Sequence, residues 1–318
     1  MNLLTSMRYL VALHEHRHFG RAAVACHITQ PALSNALKAL EVEFKVVIVK
    51  RGRNYAGLTP EGERVLQSAQ RMLHEQDVLK QELGSDADKP RGVLRMGGVP
   101  TAIPILARFS AMLQAQHPGI QPVVMSMSSS ELEASLENLS LDLALGYLER
   151  MPQSLDSKAT LKAIAQYTEH YFLLRRAASP HAENLQIGNS ISWAAASAYP
   201  LAMLTPEMHN RSIIDAAFVA AGTPVKPAVE TNSILTLALS VVAGNVCSIM
   251  PGALVSAVRG YRELEALPLT GPEVCTPIGF MTQSAVRPSR ALDAALTLTQ
   301  DSAWLRIVTA HSGLLMPV

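Results

Sequence analysis

The segment Thr29-Gln30-Pro31-Ala32-Leu33-Ser34-Asn35-Ala36-Leu37-Lys38-Ala39-Leu40-Glu41 constrains the fold more than any other stretch of the chain. Thr29 is a helix N-cap residue, and Pro31 falls in the first turn, where its missing N–H costs no intrahelical hydrogen bond. Leu33, Leu37 and Leu40 recur at helical spacing and require an apolar partner. That partner is available upstream. Leu3, Met7, Leu10 and Val11 mark a first amphipathic helix, and Phe19-Gly20-Arg21-Ala22-Ala23-Val24 a short second one whose small residues allow close crossing. A compact three-helix unit follows, with Gln30, Ser34, Asn35 and Lys38 on the outer face of its third helix.

Charge says what such a face can meet. The net charge of +1 divides unevenly: residues 1–55 carry +5, residues 56–90 carry −3 and residues 91–318 carry −1. The excess cation therefore sits on the three-helix unit, where a polyanion is attracted and steered. A helix fits the major groove of B-DNA, Asn and Gln pair bidentately with adenine, Ser serves several base edges, and Lys38 can reach guanine or phosphate. The helix N-terminus at Thr29 and Gln30 suits phosphate, as does the run Lys50-Arg51-Gly52-Arg53, which has the form of a hairpin tip between two β-prone stretches. The bland alternative is a packing unit with a solvated polar face; composition and spacing leave both readings open.

The string FGRAAVACHITQPALSNALKALE, followed by a basic hairpin and LTPEG, resembles the N-terminal signature of LysR-type transcriptional regulators. Phe19, Arg21, Ala22, Ala23, Gln30, Pro31, Ser34, Leu40, Glu41, Arg51, Leu58, Thr59 and Gly62 occupy its characteristic places. The resemblance implies a winged helix-turn-helix, a long linker helix that pairs subunits, and a two-lobed α/β effector domain built like periplasmic binding proteins. It implies double-stranded promoter DNA, a small-molecule effector, a homo-oligomer (a dimer through the linker helix, then a tetramer) and RNA polymerase as partners. Its DNA-contacting positions fall on Arg21, Thr29, Gln30, Pro31, Ser34, Asn35, Lys38, Arg51 and Arg53. Three residues depart from the pattern: Asn35 where many members have Arg, Lys45 where Gly is usual, and Val49 in place of Phe.

Leu58-Thr59-Pro60-Glu61-Gly62-Glu63 supplies an N-cap, an early Pro and acidic residues in a first turn. Apolar positions from Val65 to Leu83 predict a helix over about 60–83, ending at Gly84 before the polar hinge SDADKPRG. Twenty-four residues at about 1.5 Å each span roughly 36 Å. Such a stripe needs a partner, and a second copy of the helix would place two reading heads on neighbouring half-sites.

From Gly92 strands and helices alternate, as in a parallel α/β sheet whose ligands bind beyond the strand C-termini. The division expected is 1–59 for the DNA-binding domain, 60–90 for the linker, and 91–318 for the effector domain, with lobe I at 91–165 and 268–318 and lobe II at 166–267. LENLSLDLALGY, RSIIDAAFVAAGTP and VETNSILTLALSVVAGNVCSIMPG extend the resemblance to about residue 255. Thr101 and Ala102 after the first strand, Ser128 and Ser129 after the second, and Thr205, Asn232 and Ser248 on the other lobe are the candidate effector-binding residues. Hydroxyl and amide donors without Arg predict a small polar or anionic metabolite.

Other classes find little support. Asp142, His170, His181, His209 and Cys247 form no G-x-S-x-G, H-E-x-x-H or P-loop pattern, so no enzyme and no cofactor is expected. His14, His16 and His18 alternate along a helix and do not share a face, which argues against a metal there. Cys26, Cys247 and Cys275 have no framework spacing, and Cys247 and Cys275 lack the close spacing of the family's peroxide sensors. No signal peptide or membrane-length apolar run occurs, so a cytoplasmic location is expected. A metabolite-binding protein whose N-terminal unit only dimerises is the remaining alternative.

Overall fold

The computed structural model describes residues 2–50, 55–83, 89–151, 161–179 and 183–315. Arg51, Arg53, His181 and the first half of the polar hinge lie outside them. The chain forms two compact units, residues 1–88 with 138–140, and residues 89–137 with 141–318.

In the first unit the amphipathic stripes become α1 (Leu3–His16), α2 (Phe19–Ala25) and α3 (Gln30–Phe44), followed by α4 (Pro60–Glu82). Met7, Leu10, Leu13, Ala22, Ala23, Leu33, Leu37, Leu40, Leu66 and Ala69 close into one core. Each helix starts on a side-chain cap. Asn2 accepts from the Thr5 N–H, Thr29 Oγ1 from Ala32 and Thr59 Oγ1 from Gly62. At α2 the cap is His18, whose Nδ1 accepts from the Gly20 and Arg21 N–H groups at 3.1 and 3.3 Å.

The base of the wing is a single antiparallel bridge, Val49 to Leu58, extended by Lys50 N–H to Gly57 C=O and Thr59 N–H to Ile48 C=O. Glu41 fastens it to α3, its Oε1 accepting from Ile48 N–H at 2.8 Å and Val49 N–H at 3.2 Å. Gly62 has to be glycine because a Cβ there would overlap the Ile48 carbonyl oxygen. Lys45 ends α3 with φ 54° and ψ 37°, the left-handed region, and its N–H returns to the last turn.

The second unit contains two lobes. In lobe I, β1 (Gly92–Gly98) lies between β2 (Ile120–Ser126) and β3 (Leu143–Tyr147), all parallel, with α5 (Ile103–Gln116) and α6 (Ser129–Glu137) as crossovers. β4 (Leu161–Arg176) then runs into lobe II. There follow β5 (Gln186–Ile187), β6 (Ile191–Ser192), α7 (Trp193–Ala196), β7 (Leu201–Leu204), α8 (His209–Ala220), β8 (Val229–Thr231), α9 (Ile234–Ala243), β9 (Cys247–Pro251), α10 (Gly252–Ala257) and β10 (Leu264–Thr270). β11 (Cys275–Gln283), α11 (Arg290–Leu298) and α12 (Ser302–His311) return to lobe I. The strand order is β2-β1-β3-β11-β4-β9-β7-β8.

The lobes have separate cores. Phe109, Phe280 and Trp304 stack in lobe I, with Phe109 4.5 Å from Phe280 and 4.9 Å from Trp304, while Trp193 meets Phe218 edge-on at 5.1 Å in lobe II. One helix was expected around Ala291–Leu305; two are found. Asp301 interrupts it, because its carboxylate caps a new helix by accepting from Ala303 and Trp304 N–H.

Glu169 is the one fully buried carboxylate among the described residues, at 1% exposure on β4. Burial pushes its pKa up to about 8, although the Ala253 and Gly252 N–H groups and the Tyr167 hydroxyl face it and oppose the shift. Neither oxygen gains a hydrogen bond of full geometry. The carboxyl is therefore held protonated at neutral pH.

Two outcomes are expected. Lys45→Gly removes a side chain from left-handed backbone and should leave stability unchanged or raise it by up to about 1 kcal/mol in a thermal melt; clear destabilisation would show that the Lys side chain holds the turn. Glu169 binds its proton more tightly folded than unfolded, so its contribution is present below the ordinary carboxyl range and lost as pH rises through about 8. Glu169→Gln should flatten that loss, and melts at acid and mildly alkaline pH will show whether it does.

Candidate functional site

Two sites follow from these elements, one in each unit. On the first, Leu33, Leu37 and Leu40 turn into the core, which leaves Gln30, Asn35 and Lys38 exposed and Ser34 half-buried on the opposite side of α3. Thr29 and Pro31 are exposed at the same helix start, and Arg21 is exposed on α2. Lys50, at the base of the wing, is exposed too. A capped helix N-terminus and an uncovered polar face are what groove and phosphate contacts require. Arg51 and Arg53 belong to the undescribed tip.

The second site is a recess between the lobes, about 200 Å³ with its open mouth included. Val99, Pro100, Thr101, Ser128, Ser129 and Tyr147 line it from lobe I, and Leu204, Met208, His209 and Asn210 from lobe II. The parallel strands explain the lobe I half: β1, β2 and β3 all end there. α8 delivers the other half in its first turn. Helix was expected only from Arg211; it begins two residues earlier and so carries His209 and Asn210 into the recess.

Most polar groups of the recess already have partners. Thr101 Oγ1 and Tyr147 Oη share a hydrogen bond of 2.9 Å. Burial drives the Tyr147 phenol far above its ordinary pKa, keeping it neutral. The Tyr147 ring meets His209 edge-on at 4.9 Å, and His209 Nε2 lies 2.8 Å from Glu149 Oε1, which ties lobe II to lobe I. Asn210 Nδ2 donates to Tyr171 Oη at 3.5 Å, and that hydroxyl also meets Thr276 Oγ1 at 3.1 Å. Ser128 N–H and Oγ both donate to Glu131 at 2.8 Å. Ser129 Oγ is different. It is buried and has no protein partner.

The expected effector residues divide accordingly. Thr101, Ser128 and Ser129 come together in the recess. Ala102 is buried, with its N–H committed to the Val99 carbonyl. Thr205 donates to Glu207 beside the rim. Asn232 is exposed on the bend after β8, where its neighbour Ser233 caps α9. Ser248 lies early in β9, fully buried, and donates to the Ala202 carbonyl. None of these four lines the recess. Tyr147, Glu149, His209 and Asn210 were missed as site residues; the signal available was a His-Asn pair just after a strand, where a helix start was due. Asp142, considered for chemistry, holds the β1–β3 edge by accepting from the Arg95 N–H at 2.7 Å.

Comparison with known proteins accords with both sites. Residues 4–63 match the family model for bacterial regulatory helix-turn-helix proteins of the lysR family, and residues 87–304 match the LysR substrate binding domain, beyond the residues that carry the resemblance in the sequence. A hydrogen peroxide-inducible genes activator from Pectobacterium carotovorum subsp. carotovorum is 34% identical over 143 residues, 45% of this chain and 47% of that protein. The chain thus matches about half the length of the first such relatives. The DNA-binding transcriptional dual regulator OxyR of Escherichia coli strain K12 is 27% identical over 287 residues, 87% of this chain and 88% of that protein. Among solved structures, a full-length OxyR variant from Pseudomonas aeruginosa has a TM-score of 0.69 at 23% identity, covering 92% of this chain and 96% of that one. Full-length CbnR complexed with its target DNA gives 0.63 at 19%, covering 96% and 99%. The chain belongs to the LysR family of DNA-binding transcriptional regulators, and its two units are that family's helix-turn-helix and substrate-binding domains.

Proposed function

We propose that this regulator reads promoter DNA through α3, pairs with a second copy through α4, and responds to a small, neutral, polar ligand held at Ser129. The buried Ser129 hydroxyl carries the ligand reading. A buried hydroxyl without a partner costs about 1–3 kcal/mol, which a ligand oxygen or nitrogen at that point recovers. The enclosed part of that space is about 10 Å³, room for roughly one water-sized group, so a ligand that fits it has few heavy atoms. Its only cationic candidate, His209, is already engaged by Glu149, and this favours a neutral molecule over an anion.

Binding rather than turnover suits these groups, because the Ser128 hydroxyl is committed to Glu131 and the His209 ring to Glu149. Several relatives are hydrogen peroxide-inducible gene activators, and a Corynebacterium glutamicum OxyR variant has been solved with hydrogen peroxide bound. A thiol-based peroxide response is not favoured here. None of the three cysteines lines the recess, and burial raises the pKa of Cys26, Cys247 and Cys275 alike, which disfavours the reactive thiolate.

For self-association, Met72, Leu79 and Leu83 are 46%, 53% and 77% exposed along one side of α4 and its C-cap. No helix of the described residues is long and apolar enough to cross a membrane, in keeping with a proposed cytoplasmic site of action.

On an operator selected from random duplexes, Asn35→Ala should cost about 1–3 kcal/mol and leave non-specific binding unchanged. Lys50→Ala should weaken both and reduce the salt slope by about 1. Light scattering on the same samples should find at least two chains per particle, and fewer for Leu79→Asp. Equal binding to all duplexes would instead favour a dimerising metabolite binder. For the recess, a thermal-shift screen of small polar metabolites on the full chain should yield a ligand whose affinity falls about 5- to 150-fold in Ser129→Ala, the equivalent of about 1–3 kcal/mol. A ligand indifferent to Ser129→Ala and Thr101→Val binds elsewhere.

A further inference from the structure

Away from both sites, β4 passes a third group of chemically active side chains. His170 and Cys275 are directly paired across the β4–β11 ladder, so their side chains leave the sheet on the same face. Glu273, two residues before Cys275 in the β10–β11 turn, approaches from the loop. Cys275 Sγ lies 3.5 Å from His170 Nδ1 and 3.7 Å from Glu273 Oε1, and all three donor atoms fall within 4.8 Å of one another. Glu273 and Cys275 are exposed and His170 is half-buried, so an ion could enter from solvent without unfolding.

We infer that Cys275, His170 and Glu273 form a three-donor site for a divalent, borderline-soft cation of the zinc type. Zinc bonds to sulfur at about 2.3 Å and to nitrogen or oxygen at about 2.0–2.1 Å, so tetrahedral angles separate the sulfur from each other donor by roughly 3.6 Å. The two separations observed are that long before any ion is placed. The donor set selects the ion as well: thiolate and imidazole disfavour magnesium and calcium, while a single carboxylate is compatible with zinc. Three protein donors leave a fourth position for water or for a group from another molecule.

Two competing explanations fit less well. In a nucleophilic triad the carboxylate would orient the imidazole; here Glu273 meets the sulfur instead, and the three donor atoms lie within 4.8 Å of one another. An ordinary solvated polar cluster would not bring a thiol and an imidazole from opposite strands together with a loop carboxylate at ligand spacing. By contrast, the alternating histidines of α1 lack such convergence, and the His18 Nδ1 is already occupied by two backbone N–H groups.

The position gives the site a consequence. β4 pairs with β11 through His170 and with β9 and β10 from Tyr171 onward. Glu273 and Cys275 lie where the chain leaves β10 of lobe II for β11 of lobe I. A bound ion therefore links the crossing strand to the turn that joins the lobes, and stiffens the hinge.

Cobalt(II) is the probe, because a thiolate–cobalt bond gives a near-ultraviolet charge-transfer band and tetrahedral coordination gives intense visible bands. Reduced, metal-free full-length protein titrated with cobalt should develop both at one equivalent, and zinc should abolish them. Cys275→Ser should lose the charge-transfer band. His170→Gln and Glu273→Gln should bind cobalt at least about tenfold more weakly, and the Cys26→Ser, Cys247→Ser double variant should behave as the parent chain. The assignment is overturned by binding without a thiolate band, which would mean adventitious surface histidines, by a band that survives Cys275→Ser, or by no binding in the folded parent chain.

Discussion

One strand has to satisfy the hydrogen bonds of two sheets. The first part of β4, up to His170, pairs with β11 in lobe I, and the part from Tyr171 pairs with β9 and β10 in lobe II. Its burial follows the change of partner: residues 161–168 are exposed or half-buried, whereas Tyr171, Phe172, Leu173 and Leu174 are enclosed. Paired along these edges except at the bulge at Gln166, the strand cannot slip without exchanging one register for another. A change in lobe spacing is therefore taken up by bending at the crossing and in the turn between β10 and β11.

The same crossing sets the character of the recess. Parallel β1, β2 and β3 end at a common edge, which brings Thr101, Ser129 and Tyr147 together, and β4 carries Tyr167, Glu169 and Tyr171 behind them. These groups are desolvated, and burial keeps the phenols and the Glu169 carboxyl neutral. A set of neutral hydroxyls and one protonated acid lets polar atoms remain inside without the larger cost of a buried charge. Glu149 and His209 stand closer to solvent and are paired across the lobes.

Local chemistry made the helix-turn-helix legible. Thr29 and Thr59 cap where cap residues were read, the leucines of α3 are buried where their spacing required, and the strand–helix alternation after Gly92 is a real βαβ pattern. What sequence reading could not supply was pairing at a distance. Tyr147 meets His209 only because β3 and the start of α8 end on facing lobes, and Ser248 is buried because it lies inside β9, with its hydroxyl donating to the Ala202 carbonyl of β7. His18 as a cap and Glu41 as the fastening of the wing were likewise invisible: neither residue type is unusual at its position, and each acts through backbone N–H groups brought to it by folding. Lys45 is the converse. Its departure from glycine was visible, and the left-handed backbone shows that the turn kept its geometry when the residue changed.

For a ligand in the recess to regulate, it has to bind two lobe spacings with different affinity; equal affinity shifts nothing, however tight the binding. The geometry supplies that difference. Thr101 and Ser129 belong to lobe I and His209 and Asn210 to lobe II, so a molecule that satisfies Ser129 and touches α8 adds a link only when the lobes are close. The existing links it supplements are few: the Glu149–His209 pair and the edge-on contact of Tyr147 with His209. An exposed ion pair contributes about 0–1 kcal/mol. The about 1–3 kcal/mol recovered at Ser129 is available at either spacing and sets affinity; only the contact with α8, weighed against a pair of that size, favours the closer spacing. A molecule too large for the present space would act in the opposite sense, separating α8 from the strand ends and breaking the His209 link.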